Sequence, residues 1–479
     1  MTSPSLAAVV KAYDVRGTVP DQLDATVTRA LGAAFAEVVV LADGASACVV
    51  AHDMRDSSPE LSTAFADGAR SRGVDVTLIG LASTDGLYYA SGALDLPGAM
   101  FTASHNPAAY NGIKMCHAGA RPVGQDTGLA DVRIVAERLL AGDVGDPDTT
   151  IGSVVERDVL ADYAGFLRGL VDLRAIRPLT VVVDAGNGMG GHTVPAVLGT
   201  QAGLPALPLT VIPLYFELDG TFPNHEANPL DPKNLVDLQA AVREHGADLG
   251  LAFDGDADRC FVVDERGEPV SPSAITGLIA RREVARAVAE GADAADVTVV
   301  YNVICSAQVP EVIAETGARG VRTRVGHSFI KGEMARHDAV FGGEHSAHYY
   351  FRDFWFADTG MLAAMHTLAA LGEQDAPLST VMADLARYAA SGEVNSTVTD
   401  AAAATEKVRA WARSQGVDTD ELDGLTLTHA GRDGDDGDPM WWLNLRASNT
   451  EPLLRLNVEA ATPAEMERVR DQVLAIIRA

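Results

Sequence analysis

The sequence predicts an α/β protein in which three similar units, each with a mixed but mainly parallel sheet, precede a C-terminal α+β portion. Three observations carry that reading. Runs rich in Val, Ile and Leu, four to eight residues long, alternate with helix-like stretches of ten to fifteen, the signature of βαβ units. The plan recurs three times along 479 residues, a length and a 47% hydrophobic content sufficient for three or four cores. From about Ala376 the pattern changes to Ala-rich helices followed by strand-like runs suited to antiparallel pairing.

In the first unit the expected strands are Cys48 to Ala51, Val74 to Ile79 and Ala99 to Phe101. In the second they are Thr180 to Val183, Thr210 to Tyr215 and Leu249 to Phe253, and in the third Val297 to Val303, Val321 to Val325 and Ala339 to Phe341. Pro59 to Arg72, Leu235 to Glu244 and Pro310 to Glu315 carry apolar residues at helical spacing, with proline suited to a first helical turn. The last portion offers strands at Leu425 to His429, Met440 to Leu445 and Leu453 to Val458, then a closing helix through Ile477. The acidic stretch Asp433 to Asp438 reads as a solvated hairpin connection. Expected domains are residues 1–153, 154–264, 265–375 and 376–479.

Charge excludes some functions. Lys and Arg total 37 against 66 Asp and Glu, so the net charge of -29 disfavours nucleic acid and anionic membrane as partners. An anionic small molecule still fits if basic groups converge locally. Cys48, Cys116, Cys260 and Cys305 lack any metal-ligand or disulfide spacing and are expected as buried thiols. No basic region precedes the short apolar run near the N-terminus, and no run has the length of a membrane span, so the expected compartment is the cytoplasm. Lysine is rare, with Lys114 and Lys331 among five in all, and both stand beside the motifs below.

Polar residues collect just beyond the strand ends, where ligands bind in open α/β sheets: His52 and Asp53, Ser104 and His105, Asp184 to Gly188, Asp254 to Arg259, and Glu344 to His348. In Thr102-Ala103-Ser104-His105-Asn106-Pro107 the Asn and Pro stop the strand, which is expected to expose Ser104 on a loop. A cap or turn serine is the competing reading. Ser104 and His105 are not expected to form a hydrolase dyad, since neighbours in an extended segment point to opposite faces.

Asp254-Gly255-Asp256-Ala257-Asp258-Arg259 places three carboxylates at alternate positions, hard ligands for a divalent cation, with no lysine nearby in the chain to neutralise them. An EF-hand is excluded, because Arg259 stands where its loop needs glycine and the flanks read as strands. A solvated acidic turn is the bland alternative. Arg446-Ala447-Ser448-Asn449-Thr450-Glu451-Pro452, with Arg455 beyond, combines guanidinium groups, hydroxyls and an amide in a cradle matched to a phosphate monoester, the competing reading being an ordinary hairpin loop with its arginines facing solvent. Gly343-Glu344-His345-Ser346-Ala347-His348 offers a carboxylate, a hydroxyl and imidazoles suited to sugar hydroxyls, and reads equally well on its residues alone as a satisfied loop with partly buried histidines.

Together these motifs resemble the α-D-phosphohexomutase superfamily, in particular its phosphomannomutase/phosphoglucomutase branch, in order along essentially the whole chain. Lys11 to Gly17, Thr102 to Pro107, Tyr110 to Lys114, Phe222 to His225 with Asn228 to Leu230, Asp254 to Arg259, Glu344 to His348 and Arg446 to Pro452 carry the likeness. The resemblance implies four domains in a heart-shaped molecule around one central cleft. It implies that Ser104 holds a phosphoryl group and that Asp254, Asp256 and Asp258 bind Mg2+ with an oxygen of that group. Arg16 and Arg259 are implied near the transferring phosphate, and His105, Lys114 and His348 around proton transfer and phosphate contact. Glu344 and Ser346 are implied as ligands of sugar hydroxyls, and Arg446, Ser448, Asn449, Thr450 and Arg455 as ligands of the phosphate that is not reacting. His327 and Lys331 are implied to face the same cleft.

The implied reaction interconverts hexose 6-phosphate and hexose 1-phosphate through a hexose 1,6-bisphosphate, in a monomer or homodimer. Ser346 to Asp353 is closer to mannomutases than to glucosamine mutases, which favours mannose. Phosphoglucomutase, phosphoglucosamine mutase and a Mg2+-dependent sugar phosphatase are the alternatives. Two departures stand out: relatives often carry a basic residue where this chain has Val303 to Ser306, and residue 345 is His.

Overall fold

The computed structural model describes residues 5–143, 150–431, 440–447 and 453–479. They form two compact units, Met1–Val270 with Ser346–Val381, and Ser271–His345 with Met382–Ala479.

The first unit holds two large sheets. One contains β1 (Val15–Thr18), β2 (Ala47–His52), β3 (Asp75–Leu81), β4 (Gly98–Phe101), β5 (Tyr110–His117), β6 (Arg121–Pro122) and β7 (Val154–Glu156), in the order β1-β5-β4-β2-β3-β7 with β6 on β5. Strands β4, β2, β3 and β7 run parallel, while β5 turns back antiparallel to β4 and carries β1 on its far edge. The other contains β8 (Leu179–Asp184), β9 (Leu209–Leu214), β10 (Leu249–Phe253), β11 (Cys260–Asp264) and β12 (Pro269–Val270) in the order β12-β11-β10-β8-β9. Its parallel centre is β10-β8-β9, and β10 and β11 form an antiparallel hairpin.

In the second unit β13 (Thr298–Asn302), β14 (Arg319–Thr323) and β15 (Phe341–Gly343) run parallel, with β13 between the others. The chain then re-enters the first unit, where β16 (Tyr349–Phe351) and β17 (Ala357–Asp358) pair antiparallel. The C-terminal sheet of the second unit is wholly antiparallel: β18 (Ala389–Thr397), β19 (Asp418–Asp420), β20 (Leu425–His429), β21 (Trp441–Ala447) and β22 (Leu453–Ala460), ordered β18-β22-β21-β20-β19. Helices Ala401–Gln415 and Pro463–Arg478 pack their apolar residues onto it.

The expected parallel strands all form. The three expected helices become Ser58–Arg70, Val236–His245 and Gln308–Glu315. Strands β1, β5 and β18 were not expected. β1 and β18 are sheet edges, which need few apolar residues, and β5 interrupts its alternation with Gly112 and Lys114. β18 replaces part of the Ala-rich helical region expected after Ala376. The stretch Asp433 to Asp438 lies outside the described residues.

The first core is aromatic at its centre. Phe35 and Phe101 each approach Phe65, with ring centroids 5.5 Å away, and all three are fully buried. Burying a side chain of this size contributes about 1.5–3 kcal/mol, which anchors β4 and so the turn that follows it. All four cysteines are buried thiols, as expected.

Candidate active site

Two strand ends of the first unit deliver the polar residues to one place. Ser104 follows β4, and Asp254 to Arg259 link β10 to β11, so both segments leave the carboxyl ends of parallel strands. The loops touch through backbone. A Cβ on Gly255 would lie 2.3 Å from the Ser104 carbonyl oxygen, and one on Gly188 2.6 Å from the Gly255 carbonyl oxygen. Only hydrogen in place of a side chain permits that approach.

Ser104 is not exposed as expected: it is 4% accessible. Its φ of 49° is left-handed, so Ser104 and His105 do not alternate across an extended segment either. The Ser104 hydroxyl donates to Asp254 Oδ2 at 2.8 Å and lies 3.2 Å from His105 Nδ1. A hydrolase dyad is nevertheless absent, for a different reason: Arg259 Nη2 donates to His105 Nδ1 at 2.5 Å, leaving no lone pair there to take a proton. Burial first, then Arg259 and Arg16, push the His105 imidazolium down to about 2, so the ring is neutral.

Asp254, Asp256 and Asp258 are buried and bring ligand oxygens within 4.8 Å of one another. The expectation that no lysine neutralises them fails. Pairing of β5 with β4 sets Lys114 opposite Met100, and its ammonium bonds Asp256 Oδ2 at 2.7 Å and Asp258 Oδ2 at 2.5 Å. Sequence distance hides this contact, which the sheet makes. Burial alone would lower Lys114, but the two carboxylates outweigh it and hold the ammonium charged. Burial likewise raises Asp256, yet Lys114 prevails and holds it well below the usual carboxylate range. Asp254 goes the other way: burial pushes it up, Arg259 opposes, and the charges of Asp258 and Asp256 add to the rise.

Arg259 Nε and Nη2 reach Asp254 Oδ2 at 2.9 and 2.8 Å, and Nη2 reaches the Ser104 hydroxyl at 3.3 Å. Arg16, on β1, donates to the Ala103 carbonyl at 3.3 Å and to Asn106 Oδ1. Backbone pairing brings Arg259 and His348 together. His348 Nε2 stands 3.8 Å from Asp258 Oδ1, and its Nδ1 lies 3.0 Å from the Ser346 hydroxyl. Ser104, His105, Lys114, Arg16, Arg259, Ser346, His348 and the three aspartates therefore form one constellation within the first unit.

Whether a cation suits that constellation can be judged from its unused atoms. Asp256 Oδ1 and Asp258 Oδ1 are buried without a hydrogen-bond donor, an arrangement costly for a carboxylate oxygen unless a cation supplies the charge. The oxygen-only donor set matches Mg2+.

In the second unit Glu344 is buried, and its Oε1 accepts from Asn302 Nδ2 at 2.9 Å and from the Gly326 amide at 3.2 Å. His327 and Lys331 lie on the helix His327–His337 that starts there, with Lys331 buried. The Ser273 hydroxyl lies 2.9 Å from His345 Nδ1. Arg446 on β21 is directly opposite Arg455 on β22. Asp423 lies 3.5 Å from Arg446 and accepts the Val325 amide at 2.9 Å, which links Arg446 to the segment before His327. Arg455 stands 3.6 Å from Glu393. Ser448, Asn449 and Thr450 lie outside the described residues.

Sequence reading missed Arg55, Thr84, Asn302 and Asp423. Arg55 is buried and donates to four carbonyls around the serine loop: Ser104 at 2.9 Å, Asn106 at 2.6 Å, Pro107 at 3.0 Å and Tyr110 at 2.9 Å. Its only sequence signal was Asp53, two residues earlier, which pairs with it at 3.3 Å. Thr84 opens the helix Thr84–Leu94, whose start is legible in Ser83 as cap, and donates to Asp256 Oδ2 at 2.6 Å.

The chain is similar to four successive family models of phosphoglucomutase/phosphomannomutase: α/β/α domain I over residues 7–136, domain II over 161–267, domain III over 271–388 and the C-terminal domain over 393–476. It is 37% identical to a phosphomannomutase of Escherichia coli over 472 residues, 98% of each chain. A protein of Xanthomonas campestris named for phosphohexose mutases is 37% identical over 99% of each chain. Among solved structures, a phosphoglucomutase/phosphomannomutase family protein of Burkholderia thailandensis superposes with a TM-score of 0.84 at 31% identity, covering 98% of this chain and 97% of its own.

Proposed function

The chain belongs to the phosphoglucomutase/phosphomannomutase family, and from that premise we propose that it is a phosphohexomutase acting on mannose phosphates through phosphorylated Ser104. The observation that carries this reading is the Ser104 hydroxyl, held 2.8 Å from Asp254 and 3.3 Å from Arg259 beside a buried triad of carboxylates. Phosphoryl transfer needs alignment and neutralised charge more than covalent assistance, and these groups supply both.

Phospho-Ser104 gives its phosphoryl group to the free hydroxyl of a hexose monophosphate. The bond from phosphorus to Ser104 breaks as the bond to the sugar oxygen forms, and the sugar hydroxyl loses its proton. The product is a hexose 1,6-bisphosphate, which turns over and returns its other phosphate to Ser104. Arg259 and Arg16 neutralise the moving group. His348, oriented by Ser346, is the group assigned to the proton, because burial and the neighbouring guanidinium groups push the His105 imidazolium down to about 2, which makes that ring too weak a base, and its Nδ1 already accepts from Arg259. Asp254, Asp256 and Asp258 would hold Mg2+. When bound, that ion supplies positive charge to the phosphoryl oxygens. Glu344 and Ser346 are assigned to sugar hydroxyls. His327, Lys331, Arg446, Ser448, Asn449, Thr450 and Arg455 are assigned to the phosphate that is not reacting.

The deciding experiment offers mannose 1-phosphate, glucose 1-phosphate and glucosamine 1-phosphate in turn, each with a trace of hexose 1,6-bisphosphate. Mannose 1-phosphate is expected to isomerise fastest without matching release of inorganic phosphate. Ser104→Ala is expected to abolish isomerisation and phosphoprotein formation by intact mass while leaving the circular dichroism spectrum unchanged. Retained isomerisation in that variant would exclude the phosphoserine route, and phosphate release at the isomerisation rate would make the protein a phosphatase.

A further inference from the structure

Asp256 has one carboxylate oxygen that is doubly held and one that is not. Oδ2 accepts from the Thr84 hydroxyl at 2.6 Å and from the Lys114 ammonium at 2.7 Å, while Oδ1 is buried with no donor. Thr84 is itself fully buried, and its backbone amide donates separately to the Asp256 carbonyl at 3.1 Å. Resting on the reading of the triad as a Mg2+ site, we propose that Thr84 is a positioning residue that presents Asp256 Oδ1 to the cation and thereby sets the affinity for Mg2+.

The two donors on Oδ2 are not equivalent. Lys114 is a rotatable point charge shared with Asp258 at 2.5 Å, and its positive charge repels a cation. The Thr84 hydroxyl is neutral, so it can fix the carboxylate without opposing the cation. Its rotamer is restricted by β-branching, and its backbone sits at the first turn of a helix capped by Ser83, which accepts the Gly86 amide at 3.2 Å. The next residue secures that turn further: Asp85 accepts from Tyr163 and Thr359, each at 2.7 Å. Remove only the hydroxyl and the helix, its cap and the amide bond to the Asp256 carbonyl all remain. The Asp256 carboxylate, held then by Lys114 alone, regains freedom to rotate among its like-charged neighbours. Groups that orient a metal ligand in this way typically contribute about 10–100-fold in metal affinity.

The test titrates Mg2+ calorimetrically into the full-length protein after stripping with EDTA, comparing wild type, Thr84→Val and Thr84→Ser. Valine keeps the shape and removes the donor; serine keeps the donor. The Val variant is expected to raise the Kd for Mg2+ by about 10-fold or more, the Ser variant to restore most of the affinity, and all three to melt together without metal. In turnover, the Mg2+ concentration for half-maximal rate should rise in the Val variant at unchanged KM for the sugar phosphate. Wild-type Kd in the Val variant overturns the proposal, as does a Ser variant as weak as Val. A Val variant that melts well below wild type without metal assigns the hydroxyl to folding instead. A wild-type protein that takes up no Mg2+ removes the metal reading itself, an outcome distinct from the others.

Discussion

Asp85 is the residue whose titration the fold alters most legibly. It is fully buried, its carboxylate accepting from Ser83, Tyr163 and Thr359, and burial, partly offset by those hydroxyls, raises it from 3.8 to about 6. A carboxyl whose folded value exceeds its unfolded one holds its proton longer in the native state. Its contribution to stability is fully present below the unfolded value and is lost as pH rises through about 6. Acidifying from pH 7.5 to 5 should therefore stabilise wild type relative to Asp85→Asn by on the order of 1 kcal/mol, read as the difference in urea midpoints. The hydroxyls can turn to serve the amide. A difference that stays constant with pH would show that Asp85 does not titrate in this window. His105 behaves oppositely: with its imidazolium pushed down to about 2, it stays neutral across the working range.

At the scale of elements, the serine loop is held by contacts that a sequence does not display. Arg55 gathers four carbonyls from Ser104 to Tyr110 and stacks 5.1 Å over the Phe222 ring, so the loop is organised around a buried guanidinium. Lysine cannot reproduce that planar fork. Arg55→Lys should cost about 1–3 kcal/mol in denaturant unfolding, since buried carbonyls lose their donors while the positive charge beside Asp53 is kept, and should lower kcat; wild-type stability would refute the clamp. Gly255 sets the separation between the serine and aspartate loops. Its φ is not left-handed, so Gly255→Ala tests contact alone. The methyl would displace Ser104 from Asp254, and a shift of about 1 Å should reduce kcat about 10²-fold with the far-ultraviolet spectrum intact.

For the whole molecule, the net charge of -29 coexists with local positive charge. Arg16, Lys114 and Arg259 are concentrated at the aspartate cluster of the first unit, and Arg446 and Arg455 face each other across a strand pair of the second. Global charge thus disfavours polyanionic partners without opposing a small phosphate ester. The four thiols make a global probe. All are buried, and burial pushes Cys48 up to about 12; Cys305 reaches the same value although hydrogen bonding at Asn302 partly opposes it. A thiol reagent should label the native protein only as fast as it opens and should reach all four on denaturation. Rapid labelling of the native form would contradict that burial.

Local patterning determined the parallel strands, the closing antiparallel portion, and the places where chemistry gathers, because apolar periodicity and residues just past strand ends are written in consecutive positions. Ser104, the three aspartates and Arg259 were legible for that reason. Tertiary structure alone decided that Ser104 is buried, that β5 carries Lys114 onto Asp256 and Asp258, and that Arg55 and Thr84 hold the two loops. Those are contacts between residues far apart in the chain. They arise from strand pairing and from backbones close enough to touch, and neither leaves a periodic trace in the order of amino acids.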